Sequence, residues 1–478
     1  MKRVVFLICG VIAAMQLTAQ EQLQTLTFDD ALLMTMENNP AMKATAFEEK
    51  AAKRERQAAI GLRMPTISVN GAYSYLGDDV AIDLNGLKEP IQAGASQLLP
   101  ALDPAIGQAV MGLLNPLMGK SWEYVLQDRS VGFVGGSVTL PIFMGGKINV
   151  ANKAARLNEA TVKEQSAQTK NSLVSELVER YFGYTLASHV VEVRRQVLDG
   201  VKKHLSDARA LEQNGMIASS ERLYVEFKVS EAERDLQNAI MQLETIKSAL
   251  CNTLGQQTES RPVTAMFILE QIEGIDYYQQ LAEEYNPLLN QVGLKKELAK
   301  QNVRLQRADF YPQVVAMGGG TFYNYQVSKL IPRWAVGVGV NFKIFNGLNR
   351  EYKYSAAKQT ARRVETLEVK AANDISVLIE SLYAQMDNYR NQMNSIDASM
   401  AFAKEYLKAK NAAFLEGMSS SSDLVDAELN LARVRIERMQ VAYNYDVALA
   451  RLLEAAGISD EFLSYMRRDN AKQISFDE

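Results

Sequence analysis

The fold can be predicted from two similar stretches of sequence, IFMG at residues 142–145 and IFNG at residues 344–347, which mark the same place in two repeats. From the phenylalanine of each stretch, 72 residues lead to a glycine in both halves of the chain, and 40 more lead to a second glycine. Two prolines upstream stand 25 residues apart in both halves. The anchors are Pro40, Pro65, Phe143, Gly215 and Gly255, matched by Pro287, Pro312, Phe345, Gly417 and Gly457. Long spacings kept in register predict one structural unit that is present twice in the 478 residues.

One interval breaks this repeat. The second proline and the phenylalanine are 78 residues apart in the first half but 33 in the second, so the first half carries an insertion of 45 residues. The insertion lies within about Gly77 to Arg129. Pro104 suits the first turn of a helix, so we predict a short helix after it.

The first residues have the pattern of a secretory signal peptide. Lys2 and Arg3 precede an apolar run from Val4 to Ala14, and the small side chain of Ala19 suits cleavage. We therefore predict that residues 1–19 are removed. No later stretch approaches the roughly 18 apolar residues of a membrane-spanning helix. The mature chain is expected either to stay soluble outside the cytoplasm or to enter a membrane as β-structure.

Composition argues against several classes of function. The formal net charge of −4 at pH 7 becomes −6 without Lys2 and Arg3, which argues against nucleic acid as a partner. Two histidines and one mature cysteine, Cys251, give little material for a metal site and none for an internal disulfide. No nucleophile, base and orienting group recur as a set, so we predict neither enzyme activity nor a cofactor.

Each repeat has the pattern short helix, helix, strand, strand, very long helix, helix. Asparagine before proline suits a helix start, because asparagine caps and proline fits the first turn. Alternation of apolar and polar residues predicts four strands, at about 66–76, 131–142, 313–325 and 333–345. Proline-free stretches predict helices over 147–213 and 349–415, each 67 residues and therefore about 100 Å long. Ser220 and Ser422 are candidate N-caps of the helices that follow.

These elements predict five segments. They are the signal peptide at 1–19, a first repeat at 20–255, an equatorial linker at 256–275, a second repeat at 276–457 and a tail at 458–478. The tail is polar, and we expect it to be partly disordered.

An apolar stripe runs along the second long helix. Its eleven steps cover 39 residues, an average of about 3.55, which lies between a left-handed supercoil and a straight helix. The stripe predicts lengthwise packing against other helices and no chemistry. It passes through Ile375, Leu378, Leu382, Gln385, Tyr389, Met393, Ile396, Met400, Ala403, Leu407, Asn411 and Phe414.

Four strands are too few to cross a membrane alone. A bilayer offers no hydrogen-bond partners to open sheet edges, and single-chain barrels begin at about eight strands. If the hairpins span a bilayer, several copies must share one barrel, and three copies would supply twelve strands. The alternative is that the hairpins are soluble and pack on the helices.

The chain resembles the TolC family of outer-membrane efflux proteins. The features that carry the resemblance are the internal duplication, the two long helices, the Asn-Pro helix starts and the turns after Gly215 and Gly417. The resemblance covers about residues 25–457. It implies a mainly α protein with a membrane β-barrel portion: a homotrimer with a twelve-stranded barrel in outer-membrane lipid and an α-helical tunnel through the periplasm. It also implies a periplasmic adaptor and an inner-membrane pump as partners, and no catalysis by the channel.

The same resemblance implies roles for residues near the turns. Acidic residues six and nine positions after the second turn glycine form rings at the periplasmic entrance in the family, and here they are Asp423 and Asp426. Glu221 holds the matching place in the first repeat. A family arginine that helps to latch the closed state is replaced by Ser419. The turns that meet the adaptor are Gly215-Met216 and Gly417-Met418.

The function and the insertion both have alternatives at this point. The alternative function is that of a periplasmic adaptor or structural coiled-coil protein; adaptors also contain long helical hairpins, but usually one hairpin flanked by β-domains. For the Gly77–Arg129 insertion, which should emerge at the cell exterior, the alternatives are a lid over the pore, a contact between subunits and a tolerated surface loop.

Overall fold

A computed structural model describes residues 25–257, 260–328 and 330–474. Contacts divide the chain into two compact units, and each unit draws on both halves of the sequence. The helical unit consists of the described parts of Met1–Glu55, Ala155–Lys300 and Gln359–Glu478; the sheet unit consists of those of Arg56–Ala154 and Gln301–Lys358. The predicted signal peptide, residues 1–19, lies outside the described residues.

The first half follows the predicted order of elements. It begins with β1 (Thr25–Leu26), α1 (Phe28–Asn38), α2 (Pro40–Gly61) and β2 (Thr66–Tyr75). The insertion contributes β3 (Val80–Asp83), α3 (Lys88–Leu98), α4 (Pro104–Met118) and β4 (Glu123–Gln127). The half ends with β5 (Ser130–Met144), α5 (Lys147–Gln213) and α6 (Ser219–Leu254). The helix predicted after Pro104 is confirmed as α4, whereas α3 and the antiparallel β3–β4 pair were not predicted.

The second half repeats this order without the insertion. Two short strands come first, β6 (Arg261–Pro262) and β7 (Met266–Leu269). The repeat itself consists of α7 (Ile275–Tyr285), α8 (Pro287–Ala308), β8 (Gln313–Tyr325), β9 (Trp334–Asn341), α9 (Asn349–Leu415) and α10 (Ser421–Ala456), and α11 (Phe462–Met466) and β10 (Ala471–Ile474) follow it. Both α5 and α9 contain 67 residues, and both α6 and α10 contain 36, so the internal duplication is confirmed.

The Asn-Pro joints show why the repeats fold alike. The side-chain amide of Asn39 donates to the carbonyl of Thr253 at 2.8 Å, and that of Asn286 donates to the carbonyl of Ala455 at 2.7 Å. The Oδ1 atom of each asparagine also accepts a backbone N–H from the first turn of the next helix. Each asparagine therefore caps one helix and holds the last turn of another.

Glycines end the helices that these asparagines hold. Gly255 and Gly457 have φ values of 71° and 82°, the left-handed conformation of a helix C-terminus. A Cβ atom on Gly457 would lie 2.4 Å from the carbonyl oxygen of Tyr285, and one on Gly255 would lie 2.6 Å from that of Asn38. Only glycine gives both the turn and the close approach at these positions.

The buried apolar residues of α9 are spaced more regularly than the predicted stripe. Ile379 and Met386 are buried where the predicted stripe has Leu378 and Gln385, both of which are exposed. The corrected steps alternate four and three residues from Ile375 to Ala403. That alternation averages 3.5 residues, which is the period of a left-handed supercoil.

Aromatic residues fill the core of the helical unit. Phe28 packs on Tyr181, Phe182 and Phe462, with ring centroids 5.3–5.6 Å apart. Phe462 belongs to the tail, where partial disorder was predicted. That expectation is wrong for residues 458–474, because Phe462, Tyr465 and Ile474 are buried and β10 pairs with β7. The burial of these three side chains orders the segment despite its polar composition.

The sheet unit contains one antiparallel four-stranded sheet in the order β2-β5-β8-β9. Ser68 and Ser137 share a hydrogen bond of 2.7 Å on one face, which also carries small residues of β9. The opposite face is apolar and exposed; its members include Ile67, Val69, Tyr73, Val138, Trp334, Val336 and Val338. Among the described strands, β2 and β9 are each paired along one edge of this sheet only.

The strands agree closely with the predicted ones, and β9 differs most. It ends at Asn341, short of the predicted limit of 345. Asn341 pairs with Gln313, and Pro312 precedes that residue without an N–H to continue the ladder. Within the described residues, no helix is both long and apolar enough to cross a bilayer.

Candidate functional site

The turns of the two long hairpins are built alike. Gly215 and Gly417 have φ values of 71° and 72°. The N–H of Met216 donates to the carbonyl of Leu211 at 2.9 Å, and that of Met418 donates to the carbonyl of Ala413 at 2.8 Å. These are Schellman bonds, so the glycines end α5 and α9 as the sequence predicts. Met216 and Met418 are 70% and 72% exposed, and each turn thus presents one flexible apolar side chain.

The N-caps after the turns differ from those predicted. Ser220 and Ser422 lie inside the first turns of α6 and α10, whereas the residues with extended backbone at the cap are Ala218 and Ser420. The Oγ atom of Ser420 accepts the N–H of Asp423 at 3.1 Å. Ala218 has no oxygen to offer, so α6 begins without a side-chain cap. The prediction of Ser220 and Ser422 was wrong by two residues in each hairpin.

Asp423 is held within its own hairpin. Its Oδ2 atom accepts from the Nζ of Lys410 at 2.9 Å and from the Oγ of Ser419 at 3.1 Å. The bond from Lys410, followed by that from Ser419, lowers the pKa of the Asp423 carboxyl. The carboxylate is therefore charged at neutral pH and joins the end of α9 to the start of α10 across the turn.

Asp426 makes a contact between the hairpins. Its Oδ1 atom accepts from the hydroxyl of Tyr224 at 2.9 Å, and this bond joins α10 to α6. Burial, and then the nearby carboxylate, raises the pKa of Tyr224, so the hydroxyl remains a donor at neutral pH. The Nζ of Lys228 lies 5.6 Å from the centre of the Tyr224 ring.

Glu221 takes no part in these contacts. It is half-buried, and its Oε2 atom lacks a hydrogen-bond partner among the described residues. The first hairpin is closed by a different set of charges, because Arg222 donates to Glu212 at 2.7 Å and to Glu226 at 2.6 Å. The structure thus joins Asp423 to Lys410 and Asp426 to Tyr224 but leaves Glu221 outside both pairs.

Lys410 and the Tyr224–Asp426 bond were not predicted as contacts. Lys410 stands seven residues before Gly417, and Asp423 stands six residues after it. The two helices of a hairpin bring together residues that stand at similar distances from the turn. Opposite charges at such positions therefore predict an ion pair across the hairpin. The Tyr224–Asp426 bond had no comparable signal, because it joins different hairpins 202 residues apart.

Comparisons with known proteins agree with this architecture. The family profile described as outer membrane efflux protein matches residues 278–458. The alkaline protease secretion protein AprF of Pseudomonas aeruginosa is 23% identical over 331 residues, which are 64% of this chain and 65% of AprF, slightly less than two thirds of that relative. The outer membrane protein TolC of Vibrio cholerae is 22% identical over 334 residues, which are 66% of this chain and 73% of TolC.

The fold is also that of solved outer-membrane channels. The CmeC outer membrane channel of Campylobacter jejuni superposes with a TM-score of 0.71, covering 93% of this chain and 89% of that chain at 13% identity. This likeness establishes the fold. The profile match over residues 278–458 and the two relatives show that the chain is similar to outer-membrane efflux and secretion proteins.

Proposed function

We propose that this protein is the outer-membrane channel of a tripartite efflux or type I secretion system. It would conduct substrates from an inner-membrane pump across the periplasm and the outer membrane, without catalysing a reaction. The observation that carries the proposal is the exposed apolar face of a sheet whose outer strands, among the strands that the structure describes, are each paired along one edge only, in a chain that also contains two long helical hairpins.

The sheet supports placement in lipid. Its apolar face suits contact with acyl chains, and its other face, with Ser68, Ser137 and several glycines, suits a water-filled lumen. The free edges of β2 and β9 would each leave a row of unpaired backbone groups in a bilayer. Pairing β2 of one copy with β9 of the next removes both edges, and three copies then make a twelve-stranded barrel in a homotrimer.

The hairpins support the periplasmic half of the proposal. Two hairpins in each chain give six in a trimer, enough to surround a tunnel. The turns at Gly215-Met216 and Gly417-Met418 present exposed methionines, which suit adaptable contact with a periplasmic adaptor. The relatives and structural neighbours favour this channel over the alternative of an adaptor or structural coiled-coil protein.

The acidic residues support a gate at the periplasmic entrance. Asp423 and Asp426 are exposed, and threefold symmetry would bring three copies of each together as rings that attract cations. In the proposed closed state, the Lys410–Asp423 pair fixes the second hairpin and the Tyr224–Asp426 bond ties it to the first. The membership of Glu221 in this gate stays a prediction.

Fractionation with a heat-modification assay tests the proposal. We expect the mature protein in the outer-membrane fraction, migrating as a trimer in unheated detergent samples and as a monomer after boiling. The adaptor reading predicts instead a protein that is extracted without detergent. A soluble monomer in the periplasmic fraction would overturn the channel.

A further inference from the structure

The insertion between β2 and β5 is folded but has no core of its own. None of the residues from 77 to 129, all of which the structure describes, is buried. Its large apolar side chains lie at the surface, and Leu98 and Leu113 are 68% and 71% exposed. A segment of this size cannot bury enough apolar surface to stabilise itself, so its order depends on contacts with something else.

Specific contacts hold the insertion in place. The indole N–H of Trp122 donates to the carbonyl of Leu117 at 2.9 Å, and the backbone N–H of Trp122 donates to Asn85 Oδ1 at 2.9 Å. At the base, the Gln127 side chain bonds with the backbone of Gln326 at 2.5 Å and of Ser328 at 2.8 Å. These bonds tie the end of α4 to the segment before α3 and tie the base of the insertion to the segment after β8, which a merely tolerated loop does not require.

The chemistry of α3 and α4 is that of a surface buried between proteins. Asp103 is the one charged residue between Pro90 and Gly119, and its carboxylate is used to accept the N–H of Ala105 at 2.9 Å as the N-cap of α4. Depletion of charge marks the buried centre of protein interfaces. A helix that lies on a lipid surface instead carries lysine or arginine on its polar face. The sequence has neither between Lys88 and Lys120.

Small residues on these helices would permit close packing. A Cβ atom added to Gly94 or Gly112 would meet nothing within 4 Å, so both positions are open to an approaching helix. Small residues at helix surfaces let two backbones come close together. The insertion also leaves the sheet from β2, the outer strand whose free edge the proposed trimer pairs with another copy. The apolar helices thus begin at the border between subunits.

We propose that helices α3 and α4 of three copies pack against one another and form a helical lid at the outer mouth of the channel. This inference rests on the proposed function, because it requires the trimer. The lid supplies the missing core of each insertion, and it predicts a constriction separate from the periplasmic gate.

Cysteine cross-linking tests the lid. In a Cys251→Ala background, Leu113→Cys places a thiol on α4, and Tyr124→Cys places one of similar exposure, 63%, on β4 as the matched control. A short bis-maleimide is added to native trimers in outer-membrane vesicles, and the samples are then boiled. We expect dimer bands from Leu113→Cys at least about tenfold stronger than from Tyr124→Cys, since neighbouring copies hold the thiols at high effective concentration.

The outcomes separate the lid from the channel itself. Intact trimers in which Leu113→Cys cross-links no more than Tyr124→Cys would overturn the lid and leave the channel standing. Quenching of a fluorophore on Leu113→Cys by brominated lipid would overturn it in favour of a lipid surface. Absence of any trimer would overturn both.

A second experiment measures conductance. The double variant Leu98→Asp with Leu113→Asp should raise single-channel conductance while the trimer band stays unchanged, and unchanged conductance would count against the lid.

Discussion

Replacing Tyr224 with phenylalanine removes the hydroxyl that ties α6 to α10 and leaves the ring in place. A hydrogen bond to a charged group contributes about 1.5–3 kcal/mol, and exposure of Asp426 to solvent reduces this to about 1 kcal/mol. The proposed homotrimer would lose three such bonds, a total of about 3 kcal/mol, and each 1.4 kcal/mol changes an equilibrium constant tenfold. The ratio of closed to open channels should therefore fall by about 100-fold.

Single-channel recording in planar bilayers measures this ratio directly. We expect Tyr224→Phe to increase the open fraction, with trimer yield and thermal stability close to those of the wild type. Tyr277→Phe is the matched control, because it removes a hydroxyl from a partly exposed tyrosine outside the hairpin turns. An unchanged open fraction in Tyr224→Phe would show that this hydrogen bond does not hold the closed state.

Two further predictions concern stability. Burial raises the pKa of Asp446 well above its ordinary value, so the folded chain binds a proton that the unfolded chain releases, and stability falls as pH rises above about 4. The stability of Asp446→Asn relative to the wild type should therefore rise by up to about 1.4 kcal/mol per pH unit as the pH increases above about 4, until the pH reaches the raised pKa of the folded chain. Thermal melts over a pH series measure this as a growing difference in melting temperature, and a difference that stays constant with pH would refute it. Gly457→Ala should lower the melting temperature far more than Gly417→Ala, because both strain a left-handed backbone at about 1–2 kcal/mol but only the first Cβ meets a carbonyl oxygen, at 2.4 Å; equal losses in thermal melts would contradict the packing argument.

The sequence predicted elements well wherever prolines and glycines mark their ends. Helix α5 occupies residues 147–213 and α9 occupies 349–415, as predicted, because proline-free segments between left-handed glycine turns leave little choice of boundary. Strand β8 likewise occupies the predicted residues 313–325, starting directly after Pro312. These local signals do not depend on tertiary contacts.

Features that depend on tertiary contacts were harder to predict. Several serines follow each turn, and only the backbone geometry shows that Ser420, rather than Ser422, caps α10. The tail looked polar because its few apolar anchors, such as Phe462, act through a core assembled from distant segments. The Tyr224–Asp426 bond requires knowing which hairpin faces which, and no periodicity within one hairpin contains that information.

The most direct test of the proposed channel is ion conduction by the purified protein in planar bilayers, with the wild type compared to Asp423→Asn/Asp426→Asn. We predict a discrete pore that multivalent cations block from one side, because the proposed trimer would bring six carboxylates together at its entrance. The double variant should conduct more and should lose most of this block. A protein that forms no pore would contradict the channel, and a pore with unchanged block in the variant would contradict the gate.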